Sequence, residues 1–180
     1  MNEIPRILEP KEKVIWDGKP RYAPYMFFSV LIGIILGVFL GVFAVLGLGS
    51  IILGLAVFVL VVVLAFVLGS LAFERTHYAI TNKRAVLQSG IIGRDFRSVD
   101  YDRIQNASVD VGLLGVIFKV GSVKMFTGEM ESFSTGKGQS SLRPKYDTFS
   151  YVENPYEVLK LLQQHLSHRK ESLYAGKGLK

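Results

Sequence analysis

Polar and apolar positions divide this chain into two regimes. Between Arg21 and Glu74 there is no Asp, Glu, Lys, Arg or His. A bilayer core of roughly 30 Å takes about 20 apolar residues as a helix, so this run is long enough for two crossings. Near its middle Leu46-Gly47-Leu48-Gly49-Ser50 places two glycines and a serine where a helix stops and reverses. The pattern predicts a helical hairpin with spans over 25–45 and 51–73. After Glu74 the apolar period shortens. Alternating runs over 76–80, 84–88, 94–100, 107–111, 120–126 and 147–152 read as six short strands, separated by turn residues. Asn154-Pro155 then caps a helix expected over 156–168, with Val158, Leu159, Leu161, Leu162 and Leu166 as its apolar stripe. Six or seven strands followed by one amphipathic helix predict a small barrel capped by that helix. Residues 1–24 read as a short arm with one weak strand over 13–17, and 169–180 as a flexible polar tail.

Charge adds an orientation. Lys11, Lys13, Lys19 and Arg21 precede the first span, Arg75, Lys83 and Arg84 follow the second, and the connecting turn is uncharged. The positive-inside rule then puts both termini in the cytoplasm and only the turn on the far side of a plasma membrane. The net charge of +6 lies mainly after Glu74. Beside a membrane such an excess points to anionic headgroups rather than nucleic acid. Trp16, Tyr22 and Tyr25 either sit at headgroup level or, for Trp16, pack on the soluble domain. Gly33, Gly37 and Gly41 repeat at GxxxG spacing and let another backbone approach closely. That partner is either the second span or a second copy of the chain.

Candidate chemistry is sparse. With no cysteine, the chain has no thiol nucleophile, thiolate metal site or disulfide. His165 and His168 share a helix face, but neither a cysteine nor a nearby acid completes a ligand set. His77 is expected on a strand surface. Gly136-Lys137-Gly138-Gln139-Ser140 departs from the phosphate-loop pattern, having Glu131 at the first glycine and Gly138 after the lysine. Neither span carries an ionisable residue of the kind that marks an ion path. No enzyme activity, cofactor or metal is expected.

The runs Tyr78-Ala79-Ile80-Thr81-Asn82-Lys83-Arg84, Gly90-Ile91-Ile92, Asp102-Arg103-Ile104-Gln105 and Gly121-Ser122-Val123 resemble the bacterial pleckstrin-homology (PH) membrane proteins. Glu12-Lys13-Val14-Ile15-Trp16 and Val152-Glu153-Asn154-Pro155-Tyr156 are similar to the same pattern. The resemblance implies an α+β membrane protein, a transmembrane hairpin over 25–73 followed by a PH-like β-barrel over 74–168. It implies membership of membrane-associated assemblies and no particular activity. One departure is 127–146, longer than expected between strands and rich in Gly, Ser and Lys; it is read as a loop, functional or, preferentially, disordered.

Two binding hypotheses follow. Alternate turns of the barrel face the bilayer, and both are apolar: Ile91 and Ile92 in one, Leu113 and Leu114 in the other. They touch lipid or the inner end of the hairpin, or else plug the barrel. Lys83, Arg84, Arg94 and Arg97 fall loosely where phosphoinositide-binding PH domains hold phosphates. Interleaved Asp95, Asp100 and Asp102 favour surface ion pairs instead. The expected function is a membrane-anchored binding or scaffolding module, with membrane lipid and a protein partner or second copy as its contacts. The alternative is an accessory subunit of a transport or secretion assembly, joined through the glycine face of the first span.

Overall fold

The computed structural model describes residues 2–91, 93, 95–134 and 140–177, with 140 and 168–177 by backbone alone. Two long helices and two antiparallel sheets make up an α+β molecule. Strand β1 (Val14–Gly18) leads into helices α1 (Tyr22–Leu48) and α2 (Ile51–Arg75). Strands β2 (His77–Thr81), β3 (Arg84–Ser89) and β4 (Asp95–Asp100) come next. They are followed by β5 (Asn106–Asp110), a one-and-a-half-turn helix α3 (Leu113–Phe118), β6 (Val120–Ser134), β7 (Ser140–Glu153) and α4 (Pro155–Lys177).

The two helices, 27 and 25 residues long, are long and apolar enough to cross a membrane. Their boundary is chemical. Gly49 at φ +65 turns the chain and its N–H donates to the Val45 carbonyl at 2.9 Å, while Ser50 caps α2 by accepting from the Leu53 N–H.

The sheets run β1-β2-β3-β4 and β5-β6-β7. Strand β1 pairs antiparallel with β2, Trp16 opposite Ile80 and Gly18 opposite Tyr78. The segment expected as an arm is therefore the edge strand of the first sheet, and the helical hairpin is an excursion between two hydrogen-bonded strands. Sequence distance hides this pairing, because the whole hairpin separates the partners.

Between the sheets lies the core: Tyr78, Ile80, Val99, Val123, Met125 and Phe149 are all buried, and Val158 and Leu162 of α4 close one end. Trp16 stacks on Phe149 at 5.8 Å, packing on the domain as one of its two readings held. The outer face of the first sheet is covered too. A 3-10 turn, Ile4–Ile7, lays Ile4 over Ala79 and Val86.

Three expectations need correction. The described residues of 127–146, a segment read as a functional or, preferentially, disordered loop, continue the β6–β7 ladder: Met130 faces Pro144, Ser132 faces Leu142, and Ser134 faces Ser140, while 135–139 lie outside the described residues. A bulge with Gly128 at φ +85 separates this ribbon from the sheet. Its Gly, Ser and Lys content reads as loop because the main-chain ladder, and no buried apolar face, specifies it. Helix α4 runs on to Lys177, past the end expected at 168. His77 is buried, with its Nε2 3.3 Å from the Glu74 carbonyl, and is no surface residue.

Candidate functional site

The glycine face of α1 is spent inside the chain. A Cβ on Gly33 would lie 2.5 Å from the Ala65 Cβ, one on Gly37 would lie 3.1 Å from the Phe58 ring, and one on Gly41 would lie 2.9 Å from the Gly54 carbonyl oxygen. Of the two readings for this face, packing on the second helix is the one present. Ser29 adds a 2.9 Å hydrogen bond to the Ala65 carbonyl.

At the base of the hairpin the side chains change character within one turn. Phe73 meets Tyr22 and Tyr25 edge-on, at 5.0 and 5.7 Å. The Tyr25 and Thr76 hydroxyls lie 3.3 Å apart. Just below, Arg21 ties the hairpin to the second sheet: its main-chain N–H donates to the Tyr151 carbonyl at 2.8 Å and its Nη1 to the Phe118 carbonyl at 3.1 Å. Arg75 does the same for the β3–β4 turn, donating to the Ile91 carbonyl. Both apolar turns named from the sequence are thus tethered to the hairpin base by an arginine. Ile92 and Arg94 lie outside the described residues.

Helix α3 forms one of those turns. Gly115 is buried against the Val120 carbonyl, and a Cβ there would come within 2.5 Å of that oxygen. Leu114 is half-buried, whereas Leu113, Val116 and Ile117 are 82%, 70% and 65% exposed. Phe28, Leu113, Leu114 and Tyr151 line a cleft of about 220 Å³ between α1 and α3. Tyr151 sits in a β7 bulge at φ +54, an uncommon backbone state for an aromatic residue. A larger cleft of about 670 Å³ opens beside the base, between Trp16, Tyr22, Phe73, Glu153 and Glu157.

The basic residues do not converge on an open site. Arg84 grips Glu12 with a two-pronged fork, Nε to Oε1 at 3.1 Å and Nη2 to Oε2 at 3.0 Å. Lys83 pairs with Glu9 at 2.8 Å. Arg97 meets Glu129 at 2.8 Å and also Asp147, bridging the two sheets. Ion pairing, one of the two readings for these residues, is what the three described members of the set make.

Sequence reasoning missed the hub around Glu12. This side chain is buried and accepts from Arg84, from the Thr81 hydroxyl at 2.8 Å and from the Glu9 N–H at 2.8 Å. Burial pushes its carboxyl up, but those donors outweigh burial and hold it below the usual carboxylate range. Asn82 hooks the same arm, accepting from the Lys13 N–H and donating to the Lys11 carbonyl. The signal was present as two separate motifs, 12–16 and 78–84, whose opposite charges meet only in the fold. His165 stacks on Tyr101 at 6.1 Å; the side chain of His168 lies outside the described residues.

Beyond the bulge the ribbon presents exposed Met130, Phe133 and Leu142, with the Arg143 guanidinium 3.8 Å over the Phe133 ring.

Comparison with known proteins bears on this architecture. A family model described as bacterial PH domain matches residues 26–154. Among solved structures the chain matches a DUF1696 family protein with a pleckstrin-homology domain from Shewanella loihica PV-4, at 18% identity and a TM-score of 0.28. That match covers 53% of this chain and 71% of the other. A search of curated proteins finds no match. The chain belongs to the bacterial PH domain family.

Proposed function

We propose that this protein is a membrane-anchored binding or scaffolding module, its PH-like domain held at the cytoplasmic face by the α1–α2 hairpin. The observation that carries the reading is the placement of the hairpin between β1 and β2. The strands that precede and follow it are hydrogen-bonded to each other, so both ends of the hairpin leave from one side of one domain. Two apolar helices with an uncharged tip and arginines at their base fit a hairpin that dips across a bilayer and returns.

Within that reading the domain binds; it does not catalyse. Protein is favoured over a phosphorylated headgroup as the ligand, because Lys83, Arg84 and Arg97 already neutralise carboxylates while the ribbon displays exposed apolar side chains. Homo-oligomerisation through the ribbon belongs to the same reading. Joining a transport assembly through the Gly33, Gly37 and Gly41 face is disfavoured, since α2 fills that face. Alkaline carbonate extraction tests the anchor: the chain stays with the membrane pellet, and its release would overturn anchoring. A photo-crosslinker at Leu142 in native membranes tests the ligand class. A protein adduct supports the reading; an adduct with lipid alone overturns it.

A further inference from the structure

We infer that α3 is an interfacial helix whose Leu113, Val116 and Ile117 insert into the headgroup–acyl boundary of the bilayer, giving the domain a second membrane contact besides the hairpin. The inference rests on the anchoring reading and adds to it a fixed tilt of the domain.

The level of α3 along α1 carries the argument. Its C-terminal end is held at Arg21, through the bond from Nη1 to the Phe118 carbonyl, and its N-terminal end faces Phe28 across the shared cleft. From Tyr22 to Phe28 a helix climbs roughly 9 Å. The charge-free helix α1 spans about 40 Å, matching a bilayer with its interfacial layers rather than the hydrocarbon core alone. Its first two turns therefore lie at headgroup depth, where Tyr22, Tyr25 and Phe73 form an aromatic belt. Helix α3 runs beside those same turns. Interfacial helices bury an apolar face about 5–10 Å into this zone, the depth reached here.

The composition of α3 agrees. Between Gly112 and Lys119 it holds no charged or strongly polar residue, although three of its six residues are mostly exposed. The buried Gly115 and half-buried Leu114 spend the opposite face on the domain. Arg21 and Lys119 flank the helix at its lower end, where lipid phosphates lie. A face turned to water would leave these large apolar side chains uncompensated beside an already apolar hairpin.

Because the chain has no cysteine, single cysteines report local depth. Leu113→Cys, Ile117→Cys, Leu142→Cys and Phe43→Cys are each labelled with a polarity-sensitive fluorophore. Each full-length chain is reconstituted in nanodiscs of phosphatidylethanolamine and phosphatidylglycerol, with and without lipid-borne nitroxide quenchers. The expected result is blue-shifted emission and lipid-borne quenching at 113 and 117 as well as at 43, against red-shifted, unquenched emission at 142. Red-shifted, unquenched emission at 113 and 117 with quenching at 43 overturns the interfacial helix and leaves anchoring standing. Blue-shifted emission at 113 and 117 without lipid quenching means a protein contact, and also overturns it. Water-like emission at 43 overturns both. All four side chains are mostly exposed, so labelling leaves the packed core intact.

Discussion

Glu12 shows how one buried charge joins parts of the chain that sequence keeps apart. Its carboxylate is fully covered, and Arg84, with 17% of its side chain exposed, supplies the compensating fork. Removing one partner of a buried pair leaves an uncompensated charge, at a cost of about 3–5 kcal/mol. Arg84→Ala is accordingly expected to lower the stability of the folded domain by about that amount in chemical denaturation. Arg84→Lys should recover only part of it, because an ammonium cannot form the fork. His77 gives a pH dependence. Burial, then the nearby positive charge of Lys19, holds its imidazole below the ordinary 6.5. The unfolded chain thus takes up this proton first as pH falls. The contribution of His77 is fully present above about 6.5 and is lost as pH falls toward the folded value. Thermal melts in detergent should show stability falling below pH 6.5 in the wild type, with a shallower fall in His77→Gln.

Among the elements, the helical hairpin was the most legible in the sequence, and β1 was legible as a weak strand over 13–17 but not as a member of the sheet. A charge-free run with a glycine-serine break states its own fold, because the absence of charge and the turn chemistry are local. Alternation likewise exposed β2, β3 and β5. The pairing of β1 with β2 was invisible because it depends on register across the intervening hairpin. The outer ribbon escaped because main-chain bonds specify it, and α3 because six residues are too few for a helical period. Of the candidate site, the apolar turns could be named from residue type, but their tethers to Arg21 and Arg75 are tertiary. Packing of the hairpin is testable where a glycine of α1 faces the backbone of α2. Gly41→Val pushes a side chain into the Gly54 carbonyl and should cost about 1–3 kcal/mol of helix–helix stability in a detergent-denaturation titration. Gly47→Ala meets nothing within 4 Å and should be neutral or slightly stabilising. Equal effects would show that the glycine face does not pack as described.

At the scale of the whole molecule, the helical hairpin grows from inside the PH-like domain, between strands that hold each other, so hairpin and domain are not joined by a flexible linker. Arg21 and Arg75 fasten opposite sides of its base to the two sheets, and α3 lies against the first turns of α1. The domain therefore takes one pose relative to the hairpin, with the β6–β7 ribbon projecting beyond the bulge. The proposed topology has the hairpin cross the membrane and leave the domain inside. It is tested most directly by a membrane-impermeant thiol reagent on right-side-out vesicles carrying either Gly47→Cys at the hairpin tip or Leu142→Cys on the ribbon. Position 47 is expected to react in sealed vesicles and position 142 only after they are opened. Reaction at 142 in sealed vesicles, or at 47 only after opening, would contradict it.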